Sequence, residues 1–295
     1  MQYLYKIIYS LALNPFLLWV NKLFSPIIKF RLPPSGIIKL QVEQHMYFKM
    51  ATNQTSYVTK LLYWHGLNSF EYTYIFKELI LDFKSFIDIG SNTGYYSLLG
   101  ASLNKKINIH AFEPATGPLY YLKKNVSLNN FQKRILIHEE ALSSESSEVL
   151  FYEVRNKKYS YLPYNLGGIG SLKQDGSKTA YPVKTLTLDN FVDDNQLSAV
   201  DLIKIDTEGT ENIILEGAFN TIQKFSPIII CETLFDKIES KLEAIMKAHS
   251  YLFFNHVNGN LKQVDTIVRI NDDGVRDCFF IHPSKLYLVK RFILP

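Results

Sequence analysis

Cysteine is nearly absent from this chain, with only Cys231 and Cys278 among 295 residues. Two thiols cannot build a disulfide framework, and no CxxC or Cys/His spacing offers a structural zinc site. Both lie in apolar runs, IIICE and DCFFIH, so buried reduced thiols in a cytosolic compartment are expected. Acidic residues are missing ahead of Glu43, where Lys6, Lys22, Lys29, Arg31 and Lys39 already stand. That stretch also lacks a continuous apolar run able to span a bilayer, because Asn14-Pro15 interrupts it and Asn21-Lys22 closes it. A thin basic n-region without a small-residue cleavage site argues against a secretory signal. Internal repeats and low-complexity tracts are lacking. The balance of 32 basic and 28 acidic residues, +4 overall, does not mark a nucleic-acid binder, and no nucleic acid is expected as a partner.

What is present is a globular composition, 47% hydrophobic and 20% charged. Pro33-Pro34-Ser35-Gly36 is the clearest early break, leaving residues 1–35 as an apolar, basic, aromatic segment. Two readings of residues 1–31 stay open: a segment lying on the inner face of an anionic membrane, or a helical pair packed on the main domain. Residues 36–80 read as an extension packing on the core, with an extended stretch, IIKLQVEQHMYFKM, followed by helix to Leu81. From residue 81 to 295 strand and helix alternate. The strand candidates are FKSFIDIG, INIHAFEP, RILIHEEAL, DLIKIDTEG and SPIIICE. Helices are expected over Tyr95–Leu103, Pro118–Leu128, Thr210–Ile222 and Asp236–Ala248. This rhythm predicts a doubly wound, Rossmann-like α/β sheet, mainly parallel and covered on both faces. One stretch, residues 155–181, breaks it with glycines, tyrosines and serines, and is expected to act as a lid.

Ligands of such sheets sit beyond the carboxyl ends of the strands. The strand ends here are acidic: Asp88, Glu113, Glu139-Glu140, Asp206 with Glu208 and Glu211, and Glu232. A P-loop GK[ST] is absent, and the turn GSNTG carries Asn92 where a dinucleotide fingerprint has its second glycine. The turn is therefore unsuited to a polyphosphate, which counts against a NAD- or nucleotide-sugar-binding enzyme. S-adenosylmethionine fits better, because its sulfonium, ammonium and ribose diol suit acidic strand ends. Gly90 and Gly94 are expected to let the chain pass close to the ligand, and Glu113 and Glu140 to contact it, with Glu113 placed to accept both ribose hydroxyls.

The segments FIDIGSNTGYYSLLGA, INIHAFEPATGPLYYLKKNVSLNN, KTLTLDNFV, DLIKIDTEGTENIILEGA and SPIIICE, in that order, resemble the FkbM-family methyltransferases. The resemblance covers residues 71–232. It implies a class I S-adenosylmethionine-dependent fold, cofactor contacts at Asp88, Gly90, Asn92 and Glu113, and methylation of a hydroxyl group, commonly on a sugar or natural product. An alcohol is a weak nucleophile, so a group that takes or orients its proton assists the transfer. Asp206, Glu208 and Lys204 are the catalytic candidates, with desolvation of Asp206 weighed against its pairing to Lys204. Glu208 and Glu211 can also be read as helix N-terminal residues. Mg²⁺ held by Asp206 and Glu232 is a second, less favoured reading. His256 follows a late strand, YLFFNH, from which it can approach the site, but the favoured reading is a satisfied structural histidine. A small-molecule or glycan acceptor is expected, and a cofactor-binding protein without turnover remains the rival from another class.

Overall fold

The computed structural model describes residues 2–27, 29–153, 157–166, 170–171 and 179–295. Two short helices, α1 (Gln2–Ile8) and α2 (Leu13–Leu23), come first. The expected single extended stretch is instead an antiparallel hairpin, β1 (Gly36–Glu43) and β2 (Met46–Thr52). The chain reverses at His45, whose φ of 66° puts a non-glycine residue in the left-handed region. Helices α3 (Tyr57–His65) and α4 (Thr73–Leu79) follow. Phe48 and Met50 of the hairpin, Leu62 of α3 and Phe76 of α4 share one buried cluster with Phe86.

The main sheet then begins. Strand β3 (Ser85–Ile89) leads through α5 (Tyr95–Leu103) to β4 (Asn108–Phe112), and through α6 (Thr116–Leu128) to β5 (Ile135–His138). The run expected as one third strand divides, because β6 (Ala141–Leu142) leaves this sheet. It joins β7 (Ser147–Glu153), β8 (Gly170–Ser171) and β9 (Thr179–Leu186) in a separate four-stranded sheet ordered β6-β9-β7-β8. Of the lid expected over 155–181, residues 155–156, 167–169 and 172–178 lie outside the described residues. After α7 (Leu188–Asp194) come β10 (Leu202–Ile205), α8 (Glu211–Glu216), α9 (Phe219–Phe225), β11 (Ile228–Glu232), α10 (Glu239–Ala248), β12 (Leu252–Val257), β13 (Asn260–Val264) and β14 (Asp277–Ile281).

The eight strands of the main sheet are ordered β13-β12-β14-β11-β10-β3-β4-β5. Strands β5, β4, β3, β10 and β11 pair in parallel, while β14 runs antiparallel between β11 and β12. This is the doubly wound α/β sheet expected from the sequence. Apart from buried Asp88 and Lys204, its two central strands are apolar on both faces for a geometric reason. Phe86 and Leu202 point to one core cluster, while Ile87, Ile89, Ile203 and Ile205 point to the other. Each such side chain contributes about 1.5–3 kcal/mol on burial.

The helix expected over Thr210–Ile222 is two helices, α8 and α9, broken at Gly217-Ala218. A Cβ on Gly217 would stand 2.2 Å from the Ser143 carbonyl oxygen, so a close crossing requires glycine there. From β3 the chain proceeds outward to β4 and β5, then returns on the other side of β3 to form β10. The carboxyl ends of β3 and β10 are thus the switch point, where a crevice opens.

Candidate active site

The turn after β3 is built from left-handed residues: Gly90 at φ 70°, Asn92 at 52° and Gly94 at 86°. A Cβ on Gly90 would lie 1.9 Å from the Asp206 carbonyl oxygen, so the turn and the end of β10 touch backbone to backbone. The Gly90 and Ser91 amides both donate to the Phe112 carbonyl, at 3.1 and 3.0 Å. Glu113 then fastens the turn. Its Oε2 accepts the Asn92 amide at 2.7 Å and its Oε1 accepts the Ala115 amide at 2.9 Å. Burial pushes the Glu113 carboxyl up to about 7, against the two amide bonds that favour its ionised form.

Buried Asn125 of α6 braces the same turn from behind. Its Oδ1 accepts the Ala51 amide at 2.6 Å, and its Nδ2 donates to the Thr93 carbonyl at 2.9 Å.

Beneath the turn lies a buried ion cluster. Asp88, 1% exposed, accepts Ser97 Oγ at 2.6 Å and stands 3.7 Å from Lys204 Nζ. Lys204 also donates to the Gly90 carbonyl at 3.2 Å and stands 3.4 Å from Asp206 Oδ2. Burial alone would lower the Lys204 ammonium, but Asp206, Asp88 and Glu71 outweigh it and hold the group above its ordinary value. Burial raises Asp88, opposed by Lys204 and Ser97.

Two cavities open above this floor. The larger, 440 Å³, is lined by Gly90, Asn92, Glu113, Glu140, Asp206 and Glu208, with an apolar wall of Phe112, Leu142, Phe151 and Leu166. The smaller, 340 Å³, is lined by Glu71, Asp206, Glu232, His256, Gly274, Arg276 and Asp277. Glu71, Asp206 and Glu232 belong to both. Glu232 and Asp277 face each other across the β11–β14 ladder. Burial, then the neighbouring Asp206 and Glu208 charges, push the Glu232 carboxyl up to about 9. Burial, then Glu71 and Asp206, raise Asp277 as well.

Seven of the residues singled out in the sequence therefore meet at the larger cavity: Gly90, Asn92, Glu113, Glu140, Asp206, Glu208 and Glu232. Three of the catalytic and cofactor candidates do not reach it. Asp88 and Lys204 lie under the turn, and Gly94 faces α6, where a Cβ would meet Leu122 Cδ1 at 2.5 Å. Asp206 is not desolvated as one reading required, since its side chain is 45% exposed, and pairing with Lys204 is the arrangement found. Glu211 is the buried organiser of its own loop, accepting the Thr207 amide and hydroxyl and the Gly209 amide on Oε1. His256 is not satisfied as a structural histidine should be: its Nε2 is buried with no hydrogen-bond partner among the described residues. Asp206 and Glu232 do end adjacent strands. Among the described residues, however, no group of three or more His, Cys, Asp or Glu side chains is arranged to hold a metal ion.

Sequence reasoning missed Asp277 as a site residue and gave Glu71 no role. Glu71 was visible only as the start of the resembling segment, and Asp277 sits on a late antiparallel strand outside any motif.

Comparison with known proteins follows the same segment of chain. Residues 88–254 match the Methyltransferase FkbM domain. The hexuronic acid methyltransferase AglP of Haloferax volcanii is 26% identical over 143 residues, 48% of this chain and 53% of AglP. Methyltransferase sdnD of Sordaria araneosa is 23% identical over 218 residues, 63% of this chain and 84% of sdnD. The chain thus spans about half the length of AglP. Among solved structures, the FkbM methyltransferase of Methylobacillus flagellatus gives a TM-score of 0.44 at 15% identity, covering 68% of this chain and 43% of that one. TrmK of M. capricolum, in complex with S-adenosyl-homocysteine, gives 0.41 at 19%, covering 72% and 68%. With more than half its length matched by that domain, this chain belongs to the FkbM family of S-adenosylmethionine-dependent methyltransferases.

Proposed function

We propose that this chain binds S-adenosylmethionine in the larger cavity and methylates a hydroxyl group of a sugar or glycan presented from the smaller one. The observation that carries this reading is the sharing of Glu71, Asp206 and Glu232 by both cavities. The lining of the larger cavity fits the cofactor. Carboxylates border it, and no Lys, Arg or His lines it among the described residues, which suits a cation and disfavours a pyrophosphate. Gly90 lets the turn that borders the cavity pack directly on the end of β10, because a Cβ there would meet the Asp206 carbonyl oxygen at 1.9 Å. Glu113 retains lone pairs beyond its two amide bonds to accept the ribose hydroxyls, and Phe112, Leu142 and Phe151 offer an apolar bed for the adenine beside Glu140.

When bound, S-adenosylmethionine supplies an electrophilic methyl group on a positively charged sulfur. The protein positions the acceptor and takes its proton. Asp206 stands where the cavities meet, held by buried Lys204, and is placed to take the proton that the acceptor hydroxyl gives up. Glu232 is a neutral acid at pH 7 and so donates a hydrogen bond to a neighbouring acceptor oxygen. Glu71 accepts the Tyr96 hydroxyl at 2.9 Å, which fixes it at the shared rim. The sugar class draws support from AglP, named for hexuronic acid methylation.

Calorimetry with S-adenosylmethionine, followed by a screen of hexose and hexuronic acid acceptors read by mass spectrometry, tests both halves. Binding together with a one-methyl mass gain on a sugar is the expected result. Failure to bind removes the cofactor assignment, and binding without turnover on any sugar removes the acceptor class.

A further inference from the structure

We propose that the outward face of α1 and α2 docks on the surface of an anionic lipid bilayer. In α2 the buried residues are Asn14 and Leu18, four apart on one side. Phe16, Trp19 and Leu23, at i, i+3 and i+7, form a stripe on the opposite side and are 56%, 61% and 62% exposed. Helix α1 has no buried residue, but one side of it and of the turn that follows is packed. Tyr5 and Tyr9 pack edge-on against Tyr159, with ring centres 5.5 and 6.1 Å away, while Tyr3 and Ile7 face outward. A surface helix ordinarily turns polar residues to water, and a contiguous apolar face of this kind marks an interaction site.

Charge selects the occupant. Every charged side chain before Glu43 is basic: Lys6 lies in α1, Lys22 in α2, and Lys29, Arg31 and Lys39 follow, so the segment that carries the face is purely cationic. A second copy docking face to face would set these cations against their equivalents, whereas anionic headgroups complement them.

The pair lies on the bilayer and does not cross it. Among the described residues no single helix is long and apolar enough to span, and α1 and α2 meet at a bend of 77°. They are also tied back to the protein. Asn14 Oδ1 accepts the Ser35 amide and Asn21 Oδ1 accepts the Leu32 amide, both at 2.8 Å, and Asn21 Nδ2 donates to the Phe30 carbonyl at 3.1 Å. Crossing would break these bonds in hydrocarbon, where nothing replaces them.

Docking also bears on the cavity. Gln2 donates to Ser160 Oγ at 2.8 Å beside the Tyr159 contacts, and the Tyr161 hydroxyl accepts Gln54 Nε2 at 2.7 Å. That segment runs on to Leu166 in the wall of the larger cavity, so a docked α1 holds the cavity wall close to the lipid.

The test is flotation of the full chain with phosphatidylcholine vesicles containing about one-third phosphatidylglycerol. At low salt the protein should float, and release as salt shortens the screening length to about 3 Å near 1 M. In a Trp64→Phe background, Trp19 emission should shift to the blue on vesicle addition. A Trp19→Ser/Leu23→Ser variant changes only exposed side chains; it should stay at the bottom of the gradient with unchanged circular dichroism and cofactor affinity. Failure of the intact chain to float at low salt overturns the proposal. So does a dimer that this double variant abolishes in the absence of flotation, or vesicle binding that survives an alkaline carbonate wash. Cofactor binding is measured separately, so the methyl-transfer reading stands or falls on its own.

Discussion

At the scale of single residues, the carboxylates divide into those that hold the turn and those that face the reaction. Glu113 does both, since its two oxygens clamp Asn92 and Ala115 while bordering the larger cavity. Glu113→Ala should weaken S-adenosylmethionine by about tenfold to a hundredfold in calorimetry, the loss of one or two charge-assisted hydrogen bonds. An unchanged dissociation constant would remove Glu113 from the ribose. Asp206→Asn preserves shape and removes the proton acceptor. Turnover should fall by about a hundredfold with cofactor affinity nearly unchanged, and full activity would end its role as base. These two positions were legible because each follows an apolar strand at a spacing that topology explains. Glu71 and Asp277 were not legible. Their place in the site comes from pairing between distant segments, Asp277 with Glu232 across an antiparallel ladder that no local pattern announces.

At the scale of elements, the five parallel strands could be read from the sequence, because central strands buried on both faces are mostly apolar, with Asp88 in β3 and Lys204 in β10 as the buried charged exceptions. The hairpin β1–β2 was harder. Its reversal at His45 uses no glycine or proline, so the punctuation that marks most turns is missing. What joins this hairpin to the glycine turn is Asn125, a helical residue whose side chain reaches Ala51 on one side and Thr93 on the other. Asn125→Leu leaves a buried amide and a buried carbonyl without partners. It should cost roughly 2–4 kcal/mol of stability in chemical denaturation. Its cofactor affinity should fall too, because the turn loses its brace. A stability loss below about 0.5 kcal/mol would mean that the hairpin and turn are held by other contacts. The break between α8 and α9 escaped the sequence for a similar reason: the expected helix runs through Gly217, and the Ser143 carbonyl that demands a glycine there is distant in sequence.

At the scale of the whole molecule, the gathering of acidic strand ends gives the cofactor-free protein a predictable response to pH. Glu113 and Glu232 rise from 4.5 to about 7 and about 9, chiefly through burial, and Asp88 and Asp277 rise for the same first reason. Above pH 4.5 the folded chain therefore holds protons that the unfolded chain has released. That contribution to stability is full below the unfolded value and is lost as pH rises through the folded values. Histidines act in the opposite sense. Burial lowers His110 from 6.5 to about 4 and also lowers His138, His249 and His256, so stability is gained as pH rises toward 6.5. Below pH 6.5 the two groups oppose each other; from there to about 8.5, ahead of the thiol range, the carboxylates act alone. Each proton held only by the folded state costs about 1.4 kcal/mol per pH unit on deprotonation. The melting temperature without ligand should accordingly fall steadily from pH 6.5 to about 8.5, and Glu232→Gln should flatten that slope by removing the group with the highest of the two values. A wild-type melting temperature that is level or rising across this window would mean that the carboxylates do not converge at the strand ends, and the shared rim of the two cavities would lose its basis.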